Sequence, residues 1–379
     1  MDFHQREVDD PVLTDLGRAY FKKLESGDPQ MRALWQKLVT LSLEDFNQLY
    51  RVLNVRFDMQ LAESFYEPML SAVLAECLKS GVARVSEGAT LVFFPDESGL
   101  PPLMLQKSNG SSLYGLRDLA GIKYRLSTYK LDKLIIEIGN EQKMYFQQVI
   151  SASEMLGYSM PGQIVHVGHG LFMLPSGKMS TRRGETVWLK DLIGEVTQQA
   201  LAIVNQKSPQ IESIEKLSIA EKVAIGALKY NDLSQNRLSN IVFDKEKSLS
   251  LEGNSAPYIQ YTIARARSVL RVAREKSLDV PEIGQNVELL SLAAEERSLI
   301  LWLARFEEHV DQAAQHYLPN ILTTYLFQLA QKYNAFYHTQ PIIQASTDLR
   351  HRRLSFTLAA IHTLVTGLDL LGIEAPERM

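Results

Sequence analysis

Residues 164–184 read IVHVGHGLFMLPSGKMSTRRG, and the reading of this stretch decides the fold class. Ile164-Val-His-Val167 is a short apolar run rich in β-branched residues, which predicts a strand. Beyond it comes a basic segment opened by glycine, Gly177-Lys-Met-Ser-Thr-Arg-Arg-Gly184. In open α/β sheets ligands sit just outside the carboxyl ends of the strands. Lys178, Arg182 and Arg183 in such a place suit a phosphate chain, because phosphoryl and nucleotidyl transfer depend on positioning and on neutralising developing charge. The same loop also reads as an exposed surface turn. His166 and His169 lie three apart with glycine between them, as a metal pair, a nucleotide contact or simple strand-end packing would require. Zinc catalysis asks for a third ligand and a supporting carboxylate at recognisable spacing. Neither is near in sequence and the other histidines are scattered, so no metal site is assigned.

Working upstream, Leu91-Val-Phe-Phe94 and Leu134-Ile-Ile-Glu-Ile138 are further apolar runs, and they alternate with helical stretches at 114–128 and 141–157. Strands interleaved with helices imply βαβ units and a largely parallel sheet. On the helix at 114–128, Tyr114 and Asp118 are four apart and so share a face. A carboxylate beside a phenol can receive a guanidinium fork; a structural salt bridge from Asp118 to Arg117 or Lys123 is the alternative. Residues 14–53 read as helical, interrupted at Ser26-Gly-Asp-Pro29, with Leu34, Leu38, Leu41, Phe46 and Leu49 at helical spacing. Another helix is predicted over about 66–80.

Downstream, the polar, proline-bearing stretch 205–218 reads as a linker, and the remainder is almost entirely helical. Apolar residues recur every three or four positions through 258–274, 291–317, 320–338 and 347–372, the pattern of a helical bundle. The expected fold is therefore α/β plus all-α, a partial Rossmann-type parallel sheet followed by a bundle. The expected segments are 1–81 (helical connection), 82–204 (second part of the nucleotide fold), 205–249 (linker and further helices) and 250–379 (bundle).

Composition bounds the partners. Of 379 residues, 45% are hydrophobic and 22% charged, an ordinary globular balance. No apolar run approaches the roughly 18–20 residues that span a bilayer. The single cysteine, Cys77, excludes internal disulfides and thiolate clusters and suits a reducing compartment. The start MDFHQREVDDPVL has neither the look of a secretory signal nor that of a transit peptide, so a cytoplasmic location is expected. A net charge of −4 argues against a generally basic nucleic-acid binder. It leaves room for local basic faces such as Arg265, Arg267, Arg271 and Arg274.

Taken together, these segments resemble the arginyl-tRNA synthetases, which are class I aminoacyl-tRNA synthetases. GKMSTRRG at 177–184 resembles that family's KMSKS loop. LQKSNGSSLYGLRDLAGIKYR at 105–125 and IEIGNEQKMYFQQV at 136–149 resemble its amino-acid site. ALKYNDLSQNRLSNIVFD at 227–244, SLEGNSAPYIQYTIARARS at 250–268 and LDLLGIEAPERM at 368–379 resemble its stem-contact and anticodon-binding parts and its carboxyl end. The resemblance implies an arginine-tRNA ligase that forms arginyl-adenylate from arginine and ATP, with Mg2+ accompanying the nucleotide, and transfers arginine to the 3′ end of tRNA(Arg). It places Tyr114, Asp118 and Gln142 on the arginine side chain, and Lys178 and Arg182 in catalysis. His166, Gly168, Lys178, Met179 and Ser180 fall on ATP, and Tyr258, Tyr261, Arg265 and Met379 on tRNA. Thr181 stands where the generic pattern has a second lysine, which assigns that role to Arg182. No membrane or DNA partner is implied.

HVGH at 166–169 imitates the family's His-x-Gly-His signature, but it stands eight residues before Lys178, where the family has a different segment. The signature belongs far upstream, and this chain starts beyond it. The expectation is therefore an incomplete ligase that needs a complementing amino-terminal half. A non-catalytic paralogue that binds tRNA or a protein partner is the alternative.

Overall fold

A computed structural model describes residues 12–173, 188–242, 244–282 and 291–379, together with Arg6 and Asp10. Chain contacts divide it into two compact units, one made of 57–171 with 237–240, the other of 1–56, 172–236 and 241–379.

The unit built on 57–171 carries the βαβ element. It opens with a 3-10 segment, Glu63–Met69, and helix α3 (Leu70–Lys79). Strands β1 (Ala83–Ser86), β2 (Ala89–Val92) and β3 (Leu103–Gln106) then form an antiparallel meander. Placing Leu91–Phe94 in a parallel sheet was therefore wrong. The cause is local: Glu87 (φ 51°) and Gly88 (φ 79°) form a two-residue hairpin loop with both φ values positive. Such a turn sends the chain straight back beside itself. Helix α4 (Tyr114–Tyr129) follows, then β4 (Leu134–Gly139), α5 (Lys143–Met155) and β5 (Ile164–His169). Here the expected topology holds: β4 and β5 are parallel, in register from Leu134 opposite Ile164 to Gly139 opposite His169. Leu116, Leu119 and Ile122 of α4, Val149 and Ala152 of α5 and Ile164 of β5 share one core with Cys77 and Leu105. On the opposite face of β4, Ile135 stays half exposed.

In the other unit, α1 (Val12–Glu25) and α2 (Pro29–Val52) form a helical hairpin. Ser26-Gly-Asp-Pro29 both ends the first helix and starts the second. Gly27, at φ 85°, takes the left-handed position after α1, and the Asp28 amide donates back to the Lys23 carbonyl at 3.0 Å. The Asp28 carboxylate then accepts from the amides of Gln30 and Met31, each at 3.0 Å, with Pro29 opening the helix. The predicted apolar stripe is present but largely uncovered. Leu34, Leu38, Leu41 and Phe46 are about half exposed, and only the end of α2, at Leu49 and Leu53, packs into a core.

That core belongs to α6 (Leu189–Lys207) and α7 (Ser213–Leu233). The linker expected over 205–218 is thus helical at both ends, and the break shrinks to 208–212. Polar residues there mark exposed helix surface, since the buried positions Val204, Ile219 and Val223 continue on either side. Strand β6 (Phe172–Met173) runs parallel to β7 (Ile241–Val242), and the short α8 (Lys245–Ser248) follows. The bundle comprises α9 (Ala256–Glu275), α10 (Ala294–Leu303), α11 (Phe306–His316), α12 (Pro319–Thr339) and α13 (Thr347–Leu370). Its core joins Ile259, Ile263 and Leu270 of α9 to Leu326, Tyr333 and Phe336 of α12 and to Leu354, Leu364 and Leu368 of α13. A buried ion pair is built into it. Glu296, fully buried, accepts from Arg353 Nε at 2.6 Å. Arg353 also donates to the Pro341 carbonyl at 2.6 Å and to Gln340 Oε1 at 2.8 Å. Among the described residues no helix is long and apolar enough to cross a membrane.

Candidate functional site

The residues assigned to arginine lie within the 57–171 unit. Tyr114 and Asp118 occupy the first and fifth positions of α4, one helical turn apart. Tyr114 is exposed, whereas Asp118 is half buried. Neither salt-bridge alternative describes Asp118. Lys123 is committed to Glu76 at 2.5 Å, and Asp118 Oδ2 instead accepts the phenol O–H of Tyr145 from α5. Burial, with the Glu63 carboxylate nearby, holds the Asp118 carboxyl above the usual carboxylate range against the opposing effects of Tyr145 and Arg125. Burial together with Asp118 pushes the Tyr145 phenol far up, so it remains a donor at all ordinary pH. Gln142 sits in the 3-10 turn between β4 and α5 with an exposed side chain, at the carboxyl end of a parallel strand as expected. Chemically, the site is a half-buried carboxylate with a fixed phenol beside it, one helical turn from the exposed Tyr114. A cation with several N–H donors satisfies it better than a point charge does.

His166 and His169 are used in different ways. The His166 ring stacks on Phe146 (centroids 5.4 Å apart, planes 11° apart), and its buried Nε2 has no hydrogen-bond partner among the described residues. His169 Nε2 faces Glu137 at 3.3 Å, and its Nδ1 lies 2.8 Å from the Gly170 carbonyl. Between them Gly168 packs so closely that a Cβ would stand 2.9 Å from Asn140 Oδ1. Its carbonyl accepts from Arg237 Nη1. Lys178, Met179, Ser180 and Arg182 lie outside the described residues.

The residues assigned to tRNA sit in the bundle unit. Tyr261, Arg265 and Met379 line one open cleft of about 980 Å3, with Arg271, Tyr337 and Arg378. The Arg265 guanidinium lies 4.9 Å from the Tyr261 ring centroid and 5.3 Å from that of Tyr337, and its Nη1 donates to Asn334 Oδ1 at 2.7 Å. Tyr258 is not in the cleft lining. Its hydroxyl accepts from Asn334 Nδ2 at 3.0 Å and its ring packs on Phe327, so it supports the Asn334 hub from behind. Arg267 is tied to the carboxyl tail, through Glu377 at 3.2 Å and the Pro376 carbonyl at 2.8 Å. An open cleft with aromatic and guanidinium faces has the composition that stacks unpaired bases.

Comparison with known proteins extends these observations along the whole chain. Residues 1–245 match the family described as tRNA synthetases class I (R), catalytic domain, and residues 259–379 match the DALR anticodon binding domain. This chain belongs to the class I (R) tRNA synthetases. The arginine–tRNA ligase of Clostridium botulinum (strain Alaska E43 / Type E3) is 37% identical over 379 residues, covering 100% of this chain and 66% of the relative. That of Chloroflexus aggregans (strain MD-66 / DSM 9485) is 39% identical over 374 residues, 98% of this chain and 64% of the relative. Among solved structures, the arginyl-tRNA synthetase of Plasmodium falciparum superposes with a TM-score of 0.84 at 25% identity, covering 97% of this chain and 62% of that one. The Thermus thermophilus enzyme gives 0.77 at 28%, covering 96% and 69%. The chain thus spans about two thirds of the length of the relatives it matches.

Within this class I (R) chain, sequence reading missed Tyr145 and the Asn334–Tyr337 pair. Tyr145 is three residues beyond Gln142, inside a segment already singled out, but nothing local shows that it reaches Asp118, 27 positions away. Asn334 and Tyr337 share a helical face at three-residue spacing, which is also how ordinary core positions recur.

Proposed function

We propose that this chain provides the amino-acid, pyrophosphate and tRNA recognition parts of an arginine-tRNA ligase acting in the cytoplasm. Arginine attacks the α-phosphate of ATP through its carboxylate, giving arginyl-adenylate and pyrophosphate. The terminal ribose hydroxyl of tRNA(Arg) then takes the arginyl group and releases AMP. The observation that carries this reading is the similarity over the entire chain, catalytic part followed by anticodon-binding part, at 35–39% identity to arginine–tRNA ligases.

In this reading Asp118 pairs with the substrate guanidinium, supported by Tyr114 and Gln142, and lysine is rejected because it lacks the planar fork. Lys178 and Arg182 neutralise the charge that develops on the phosphates, with Met179 and Ser180 also meeting ATP. His166 and Gly168 meet the nucleotide at the end of β5. Mg2+ would accompany ATP and supply charge neutralisation at its phosphates. Tyr261, Arg265 and Met379 take splayed anticodon bases, with Tyr258 steadying the cleft. Segment 82–204 serves the nucleotide fold and 250–379 the anticodon.

The partner needed to complete the catalytic fold is an amino-terminal half bearing the His-x-Gly-His signature. Two physical features support it. Isolated two-stranded parallel sheets are marginal and are normally covered on both faces, yet among the described residues β4 and β5 stand as a pair with Ile135 half exposed. The apolar residues of α1 and α2 are likewise open. Transfer of labelled arginine to tRNA(Arg) tests the proposal. The chain mixed with the amino-terminal third of a relative is expected to charge tRNA, and Lys178→Ala in that mixture to abolish charging. Charging at full rate by the chain alone would refute the need for a partner. No charging in the mixture would refute the catalytic reading.

A further inference from the structure

We propose that Tyr145 is a positioning residue for arginine recognition, its phenol holding Asp118 by one carboxylate oxygen so that the other faces the substrate guanidinium. The inference rests on the assignment of Asp118 to the arginine side chain. Its geometry comes from two helices: Asp118 projects from α4 and Tyr145 from the first turn of α5, and the phenol O–H donates to Oδ2. Among the described residues Oδ1 accepts no hydrogen bond. The Tyr145 ring is itself held edge-on against Phe146, with centroids 5.1 Å apart at 85°. Phe146 is buried and stacked on His166. The phenol is therefore anchored from the far side and has little freedom to follow the carboxylate. An aspartate with two unconstrained oxygens rotates about its last torsion, which is broad and weakly restrained. One oxygen bound to a fixed donor sets the plane in which the guanidinium fork must lie.

The same contact favours the ionised form of the carboxylate. Burial raises the proton affinity of Asp118 and the Glu63 carboxylate adds to it, while the Tyr145 hydrogen bond and the Arg125 charge oppose them. Tyr114, on the same helix, is the remaining titratable group among the described residues that acts on the Tyr145 phenol. Arginine is bound by the ionised carboxylate, so affinity falls as pH drops through the Asp118 pKa. Removing the phenol raises that pKa, and the fall must then begin at a higher pH. A purely structural tyrosine would weaken binding equally at every pH.

The experiment is titration calorimetry of the full chain with L-arginine from pH 5 to pH 8, for the unmodified protein and for Tyr145→Phe, Tyr145→Gln and Asp118→Asn. Tyr145→Phe is expected to bind arginine roughly tenfold more weakly at pH 6, the loss of one hydrogen bond to a charged group, with the acid limb displaced upward. Tyr145→Gln keeps a donor and is expected to fall between the two, which preserves the test if the phenylalanine variant does not fold. An acid limb unmoved in both variants, with Asp118→Asn inactive in binding, would overturn the role of Tyr145 alone. Full arginine affinity in Asp118→Asn, or no arginine binding by the unmodified chain, would overturn the assignment of Asp118 and the inference with it.

Discussion

Replacing Arg353 by methionine tests the energetic account of the bundle. The arginine makes three short hydrogen bonds: to the fully buried Glu296 carboxylate, to the Pro341 carbonyl and to Gln340. Methionine fills much of the same volume but donates nothing. Glu296 then keeps only Arg352, at 3.4 Å, and its own capping contact with the Ala293 amide at 3.0 Å. Removing one partner of a buried ion pair costs about 3–5 kcal/mol, because the remaining charge has no water to turn to. The orphaned carbonyl keeps the loss at that level. For a domain of this size it lowers the midpoint of thermal unfolding by roughly 10 °C or more. The pH dependence gives the sharper check. In the unmodified protein burial would raise the Glu296 pKa, but the hydrogen bond and charge of Arg353, with Ala293 and Arg352, hold it below the usual carboxylate range. That pair therefore stabilises fully above the unfolded pKa and is lost as pH falls through the lower folded value. In the variant burial is opposed only by the Ala293 amide and Arg352, the Glu296 pKa rises, and protonation at acid pH relieves part of the penalty. Urea unfolding at pH 7 and pH 4.5 is expected to show a smaller difference between the two proteins at pH 4.5. A loss below about 1 kcal/mol at pH 7, or a difference independent of pH, would refute the reasoning.

Other consequences are equally direct. In Gly367→Ala the new methyl would stand 2.3 Å from Leu326 Cδ2, inside the core between α12 and α13. Overpacking costs about 1–3 kcal/mol against at most about 1 kcal/mol of helix propensity regained, so chemical denaturation should show a net loss; a stabilised variant contradicts it. Asp28→Ala removes two cap bonds from α2 and is expected to cost about 1 kcal/mol, seen as faster amide exchange in the first turn of that helix, with the bundle unaffected. Tyr261→Ala and Arg265→Ala should each weaken binding of a tRNA(Arg) anticodon stem-loop about tenfold or more through lost stacking. Affinities unchanged by fluorescence anisotropy would remove the cleft from RNA recognition.

What the sequence by itself determined about this protein is what neighbouring residues decide. Ser26-Gly-Asp-Pro29 separates two helices because a left-handed glycine, a capping carboxylate and a ring-fixed φ act within four positions. The runs at 134–138 and 164–167 are parallel strands because a helix of the right length lies between them. The helical periods of the bundle are likewise local, and the long motifs carried the family. The exceptions are also local in origin but subtler: two residues, Glu87 and Gly88, turn an expected parallel strand into a meander.

Tertiary structure alone decided the contacts that join distant positions. Nothing in the period of α5 says that Tyr145 rather than Lys123 or Arg117 meets Asp118. The cleft at Arg265 draws its walls from 210–215, 261–275, 337–344 and 378–379, and its hub Asn334 looks in sequence like one more helix position. The same holds for Glu296 and Arg353, charged residues whose burial no hydropathy pattern predicts. The physical reason is common to all of them. Backbone propensity and capping act over a few residues, whereas partner choice for a polar side chain is fixed by which helices the apolar stripes bring together, and the stripes do not specify what sits beside them.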